Sequence, residues 1–208
     1  ILPVLRETTA ALANVEILAR NLLDVEPEAV FGAHPYKLVA NLPYSITAAT
    51  LRHFLEAANP PRMLVVMMQR EVAQRIVAQA GQLSLLALSV QFYGRPVIVA
   101  EVPAGAFFPP PKVDSAIVRI DLHAEPPLAG AARERLFALM HAGFAEKRKQ
   151  LHNNLTRHLD VSREQALAWL AAADIAPTRR AQTLTLDEWL ALARAADLSP
   201  TLPDAGKG

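Results

Sequence analysis

The sequence predicts an α/β fold: a layered domain with a largely parallel sheet over residues 1–122, followed by a small all-α domain over residues 123–208. Three observations predict it. Strand-like apolar runs alternate with segments of helical period as far as Leu122, the pattern of a sheet with crossover helices. Met63 to Met68 is an unbroken apolar run of the kind found in buried parallel strands. Beyond Glu125-Pro126-Pro127 the strand-like runs stop, and two capping boxes open helices.

The elements follow in order. Pro3 to Ala13 has helical spacing, with Val4, Leu5 and Leu12 among its apolar positions. Val15-Glu16-Ile17-Leu18 is a short strand candidate, and Lys37 to Ala40 is another, ending at Asn41. Ile46 to Ala58 reads as a helix stopped by Asn59-Pro60-Pro61. Glu71 to Gln79 is helical and breaks near Gly81; Leu83 to Phe92 is helical by period, with a composition that also allows a strand. Pro96 to Val102 and Ser115 to Leu122 are strand candidates on either side of a proline-rich turn. In the second part, Ala131 to Phe144 and Lys147 to Leu159 read as helices. Ser162-Arg163-Glu164-Gln165 and Thr185-Leu186-Asp187-Glu188 are the capping boxes, opening helices through Ala173 and Ala196. The tail from Ser199 should be frayed.

Composition removes several classes of function. Of 208 residues, 52% are hydrophobic and 20% charged, with a net charge of +1. That is too apolar for a disordered chain. With no cysteine, disulfides, thiolate zinc sites, iron–sulfur clusters and cysteine nucleophiles are excluded. The six histidines have no metal-ligand spacing, so no metal is expected. No run reaches the ~18 apolar residues of a membrane span, and Ile1 to Glu7 lacks the pattern of a secretory signal. A cytoplasmic, monomeric protein is expected. The chain also lacks an initiator methionine, which suggests the later part of a longer protein.

The near-neutral balance hides a local bias. Lys147 to His158 holds four cations (Lys147, Arg148, Lys149 and Arg157), two histidines and no acid, and Arg179-Arg180 is a second cluster. A basic run of this kind is most often a solvated helix face. The functional alternative is a surface that contacts phosphates, which depends on the local patch rather than on net charge.

Two motifs carry chemistry. Asn41-Leu42-Pro43-Tyr44 follows a strand directly, and in open α/β sheets ligands sit beyond the carboxyl ends of strands. The N6 nitrogen of adenine is a poor nucleophile because its lone pair is delocalised into the ring. Two acceptors for its two hydrogens favour a pyramidal nitrogen. The Asn41 carboxamide oxygen suits one hydrogen, and a main-chain carbonyl at Leu42 or Pro43 the other. Pro43 fixes the turn, and Tyr44 offers a ring for a base to stack on. On that reading Tyr44→Phe should be tolerated. The same four residues would serve equally as an ordinary strand-to-helix turn. The second motif, Phe107-Phe108-Pro109-Pro110-Pro111-Lys112-Val113-Asp114-Ser115, is stiffened by three prolines. It could hold an aromatic ring over the same cleft, or simply be a rigid hairpin loop.

Together these elements resemble the KsgA/RsmA-type ribosomal RNA adenine dimethyltransferases. The resemblance runs through Asn41-Leu42-Pro43-Tyr44, Gln69-Arg70-Glu71-Val72-Ala73-Gln74-Arg75, Gly81-Gln82-Leu83-Ser84, Val102-Pro103 with Ala106-Phe107, and Pro109 to Ser115. It continues through Phe144 to Leu151 and Asn154-Leu155. It implies a Rossmann-like methyltransferase domain followed by a helical RNA-binding domain, with S-adenosylmethionine as methyl donor. The implied reaction is N6,N6-dimethylation of two adjacent adenosines in the 3′-terminal hairpin of small-subunit (16S) rRNA, within a 30S ribosomal precursor. Asn41, Leu42 and Pro43 would hold the amine, Tyr44 and Phe107 would sandwich the base, and Asn41 would also border the cofactor. Lys147, Arg148, Lys149, Arg157, Arg179 and Arg180 would meet RNA.

Two departures from the family pattern stand out. The acid that contacts the cofactor adenine falls at Asn21 here, which can accept a hydrogen bond but brings no charge. The Gly-rich cofactor loop and the ribose-binding acid are not found; Gly32 is the sole glycine before Asn41. The family sheet order 3-2-1-4-5-7-6 would make Val15–Leu18 strand 3 and Leu38–Ala40 strand 4. The two strand–helix units between them would take roughly 60 or more residues, so either the parent protein is longer, the favoured reading, or this fragment folds only in a rearranged form. This chain by itself is expected to bind cofactor poorly and to be inactive. The rival readings are an Erm-type methyltransferase of large-subunit rRNA and a non-catalytic RNA-binding assembly protein on the same scaffold.

Overall fold

A computed structural model describes residues 1–196; the expected fraying from Ser199 lies outside the described residues. The order is α1 (Leu2–Thr9), α2 (Pro27–Phe31), β1 (Lys37–Asn41), α3 (Thr47–Leu55), β2 (Met63–Gln69), α4 (Arg70–Ile76), α5 (Leu85–Tyr93), β3 (Gly94–Val102) and β4 (Ser115–Leu122). The helices α6 (Gly130–Phe144), α7 (Leu151–His158), α8 (Arg163–Ala172) and α9 (Leu186–Ala196) follow.

The four strands form one sheet in the order β1-β2-β4-β3. That is the 4-5-7-6 portion of the expected order. The sheet is not largely parallel, however. Only β1 and β2 run parallel, and β4 is antiparallel to both of its neighbours. The cause is the connection. β3 and β4 are joined by residues 103–114 without a crossover helix, and a connection of that kind reverses the chain and pairs the strands antiparallel. Register shifts once, at a bulge between Ile98 and Ala100.

The run Met63–Met68 is buried on one face only. Leu64, Val66 and Met68 are inaccessible, while Met63, Val65 and Met67 alternate with them and stay half-exposed. The helices explain this. α4 contacts β2, β4 and β3, and α5 contacts β3, covering the face to which Leu64, Ile120 and Val118 belong. Across the other face Val39 and Val97 are exposed, and Arg119 pairs with Asp121 at 2.9 Å.

Val15–Leu18 is not a strand. A strand needs a neighbour for its N–H and C=O groups, and among the described residues none runs beside 15–18. No residue of α1 is buried. The basic run is also reassigned: α7 begins at Leu151, so Lys147–Gln150 form a turn ahead of it rather than its first turn. The second capping box closes with both bonds and the first with one. Ser162 Oγ accepts the Gln165 N–H at 3.1 Å. Thr185 and Glu188 exchange both bonds, Thr185 N–H to Glu188 Oε2 at 2.7 Å and Glu188 N–H to Thr185 Oγ1 at 3.2 Å.

The helices after Leu122 pack against the sheet part through α5. Phe137 of α6 meets Phe92 edge-on at 5.4 Å and stacks near Tyr93 at 6.1 Å between ring centroids. The Gly81 N–H bonds Gln182 O at 2.9 Å. No helix of the described residues is long and apolar enough to cross a membrane. Among them no group of three His, Cys, Asp or Glu residues is placed to hold a metal.

Candidate active site

β1 ends at Asn41, whose side chain is exposed at the carboxyl edge of the sheet. Leu42 turns inward and is 7% exposed, anchoring the turn in the core. Pro43, held at φ −56°, opens a short 3₁₀ turn, Tyr44–Ile46. Its carbonyl accepts the Ile46 N–H at 3.1 Å. The Leu42 carbonyl is therefore the acceptor left without an N–H donor in this turn. Among the described residues neither the Asn41 carboxamide oxygen nor the adjacent Leu42 carbonyl receives a hydrogen bond, which suits an amino group with two hydrogens to place.

Tyr44 is half-buried, and its hydroxyl is not idle. It lies 2.7 Å from Ser115 Oγ, across 71 residues of sequence. The expectation that Tyr44→Phe is innocuous overlooks this bond. Ser115 is inaccessible to solvent, so its hydroxyl must find a partner within the protein. Sequence alone gives Ser115 no role of its own. The signal was a hydroxyl at the first position of an apolar strand.

Phe107 is half-buried at the end of a 3₁₀ turn, Ala104–Ala106, and its N–H donates to Ala104 O at 3.2 Å. Phe108 is fully exposed. The far end of this loop is clamped through Asp114. Its Oδ1 accepts the Ala104 N–H at 3.0 Å, its carbonyl accepts the Arg70 N–H at 3.0 Å, and Oδ2 pairs with the Arg70 guanidinium at 3.0 Å. Asp114 and Arg70 are likewise residues that sequence reasoning left without roles.

Asn21 sits elsewhere, exposed, ahead of a 3₁₀ turn at Leu22–Asp24. Its Oδ1 accepts the Leu23 N–H at 3.2 Å. That oxygen thus caps the turn with one lone pair and keeps the other exposed, and Gly32 ends α2. The residues present fit the acceptor side of a methyl transfer, at Asn41 and Leu42. For the adenosine half of S-adenosylmethionine, the described residues offer Asn21, whose exposed carboxamide oxygen keeps a second lone pair.

The six candidate cations divide. Lys147, Arg148 and Lys149 are exposed in the turn before α7, and Arg180 is exposed too; none has an acid partner among the described residues. Arg157 pairs with Glu146 at 3.0 Å. Arg179 is committed inward. Its guanidinium binds both oxygens of Glu188 and the carbonyl and hydroxyl of Thr183. It therefore locks the start of α9 instead of offering a free charge. Lys147 also lines a groove of about 440 Å³ with Arg75, Gln82 and Gln182.

Burial pushes the Glu188 carboxyl up, but the Arg179 guanidinium and the Thr185 N–H together outweigh that and hold it below its ordinary range. A carboxylate lowered in the folded state stabilises above its unfolded pKa, and that stability is lost as pH falls through the folded value. Glu188→Gln should therefore lower the unfolding free energy from urea melts at neutral pH by about 1 kcal/mol, given the partial exposure of both partners. The gap to wild type should narrow as pH falls from the ordinary carboxylate range through the lowered folded-state value of Glu188. A gap that persists undiminished at acid pH would assign the loss to packing instead.

Against known proteins, a family model described as Ribosomal RNA adenine dimethylase matches residues 1–196. The Ribosomal RNA small subunit methyltransferase A of Dehalococcoides mccartyi is 48% identical over 186 residues, covering 89% of this chain and 64% of its own length. The chain thus spans a little under two thirds of that relative. The crystal structure of the 23S rRNA methyltransferase ErmE superposes with a TM-score of 0.73 at 29% identity, over 94% of this chain and 77% of its own. A dimethyladenosine transferase from Plasmodium falciparum superposes at 0.78 and 22% identity, over 93% and 77%, a likeness of fold. The Rossmann-like assignment rests on both superpositions and on the sheet order.

Proposed function

Because this chain belongs to the ribosomal RNA adenine dimethylase family, we propose that the protein dimethylates N6 of two adjacent adenosines in the 3′-terminal hairpin of small-subunit rRNA. It does so with S-adenosylmethionine, on a 30S precursor in the cytoplasm, as a monomer. The observation that carries the reading is the pair of open acceptors, Asn41 Oδ1 and Leu42 O, at the carboxyl end of β1. S-adenosylmethionine, when bound, supplies an electrophilic methyl group on sulfur.

The chain's own residues prepare the acceptor. Asn41 Oδ1 and the Leu42 carbonyl each accept one N6 hydrogen, drawing the nitrogen out of conjugation and leaving its lone pair free for an incoming methyl. In the transfer that S-adenosylmethionine would support, the sulfonium S–C bond would break as the N6–C bond forms, the thioether would leave and N6 would lose a proton; the charge developing on N6 would strengthen its contacts to Asn41 Oδ1 and the Leu42 carbonyl, because one partner becomes charged. Tyr44 and Phe107 supply ring faces for a base taken out of its stack. The turn Lys147–Lys149 with Arg180, in the helical RNA-binding domain from residue 123 onward, holds the phosphates. The test is single-turnover methylation of unmethylated small-subunit particles with the full-length protein. Two adjacent dimethyladenosines are expected, and methylation confined to large-subunit rRNA would replace this reading with the Erm-type one. The small-subunit reading is favoured by 48% identity to a small-subunit enzyme against 29% to the large-subunit one.

Replacing Lys147, Arg148 and Lys149 with glutamine together should flatten the log–log salt dependence of RNA binding by about two to three units. Arg179→Met should leave the slope unchanged, because that charge is already paired. An unchanged slope for the triple variant would return the turn to an ordinary solvated surface.

A further inference from the structure

We propose that Ser115 is a positioning residue for the reaction described above, acting through the Tyr44 hydroxyl to fix the tilt of the ring on which the target base stacks. The inference rests on that functional reading. Four observations carry it. The two hydroxyls are 2.7 Å apart. Ser115 is completely buried, whereas Tyr44 is half-buried, so the bond joins a fixed point to a ring that is partly free. β1 and β4 are not neighbours in the sheet, since β2 lies between them. Tyr44 therefore reaches over the end of β2, where Gln69 pairs with Ser115, and ties two strands that no backbone ladder connects. Finally, Tyr44 makes no ring contact with another aromatic side chain among the described residues. The hydroxyl bond is then what restrains its plane.

Ser115 is also the first residue of β4, directly after the loop that begins at Phe107, and its neighbour Asp114 fastens that loop to Ala104 and to the start of α4. One short segment, Asp114-Ser115, thus refers both stacking rings to the same frame: Tyr44 through the hydroxyl, Phe107 through the Ala104 turn. A base held between two rings needs their separation and tilt set before it arrives, since a small misplacement of a reacting group lowers the rate steeply.

The experiment is a double-mutant cycle in the full-length protein, with single-turnover methylation of small-subunit particles as readout. Melting curves and cofactor affinity are measured in parallel. Ser115→Ala and Tyr44→Phe should each slow the rate constant by about tenfold, the upper end for one neutral hydrogen bond. The active fraction and cofactor affinity should be unchanged. The double variant should be no slower than either single, because both remove the same restraint. Ser115→Thr, which keeps a hydroxyl, should restore most of the rate. Wild-type rates in Ser115→Ala overturn the inference, as do rate losses that multiply in the double variant or losses fully explained by a smaller folded fraction. A wild-type protein that leaves small-subunit rRNA unmethylated overturns the functional reading, and this inference with it. An active wild type with an unaffected Ser115→Ala overturns this inference alone.

Discussion

Asn41→Ala should lower the single-turnover rate of adenine methylation by about one to two decades while leaving RNA affinity nearly unchanged. Asn41 lies exposed at the end of β1 and makes no hydrogen bond through its side chain within the described residues, so its removal should not disturb the fold. Its proposed contact matters most when N6 carries developing positive charge. A hydrogen bond to a charged group is worth about 1.5–3 kcal/mol, hence the one to two decades. A contact made mainly in the transition state lowers the rate more than it weakens binding. Tyr44→Ala should differ. It removes a stacking surface worth about 1–3 kcal/mol that acts before chemistry as well as during it, so productive binding and rate should fall together. Rapid-quench methylation alongside filter binding of the particle separates the two patterns. A near-normal rate for Asn41→Ala would mean that the acceptor role belongs elsewhere.

The features that were legible in the sequence are those decided within a few residues. Ser115–Leu122 and the box Thr185–Glu188 are set by local alternation and by a cap closed over three positions, and both read correctly. The order β1-β2-β4-β3 was legible only through the family resemblance, because nothing local says that the later strand inserts between two earlier ones. Val15–Leu18 misled for the converse reason: apolar β-formers make a strand only beside a partner. The same limit applies at the site. Asn41-Leu42-Pro43-Tyr44 announced itself by position after a strand, but the Tyr44 hydroxyl has its partner 71 residues away. Arg179 looked like half of a basic pair until its guanidinium was found closing on Glu188 and Thr183. A charge seen in sequence gives its sign, and only the fold shows whether it is already neutralised.

Gly143→Ala should be the most damaging small substitution in the helical part, costing about 1–3 kcal/mol and lowering the melting temperature by several degrees. Gly143 is buried near the end of α6. A Cβ there would stand 2.5 Å from Trp189 Cη2 and 2.9 Å from Leu151 Cδ1. Neither neighbour can yield cheaply. Trp189 is inaccessible and stacks on Phe144 with centroids 5.9 Å apart, and Leu151 is inaccessible at the first position of α7. Either the indole of α9 moves or α6 and α7 separate. The second outcome would also disturb the turn between them. Asn154 Nδ2 bridges the carbonyls of Gly143 and Glu146, directly ahead of Lys147, Arg148 and Lys149. The variant should therefore lose RNA affinity before it unfolds, at temperatures where its circular dichroism is still native. Gly105→Ala is the control. Its Cβ would meet nothing within 4 Å, and its stability should stay within about 0.5 kcal/mol of wild type. Equal melting temperatures for Gly143→Ala and Gly105→Ala would show that the contact between α6 and α9 has slack that the close approach of Trp189 denies.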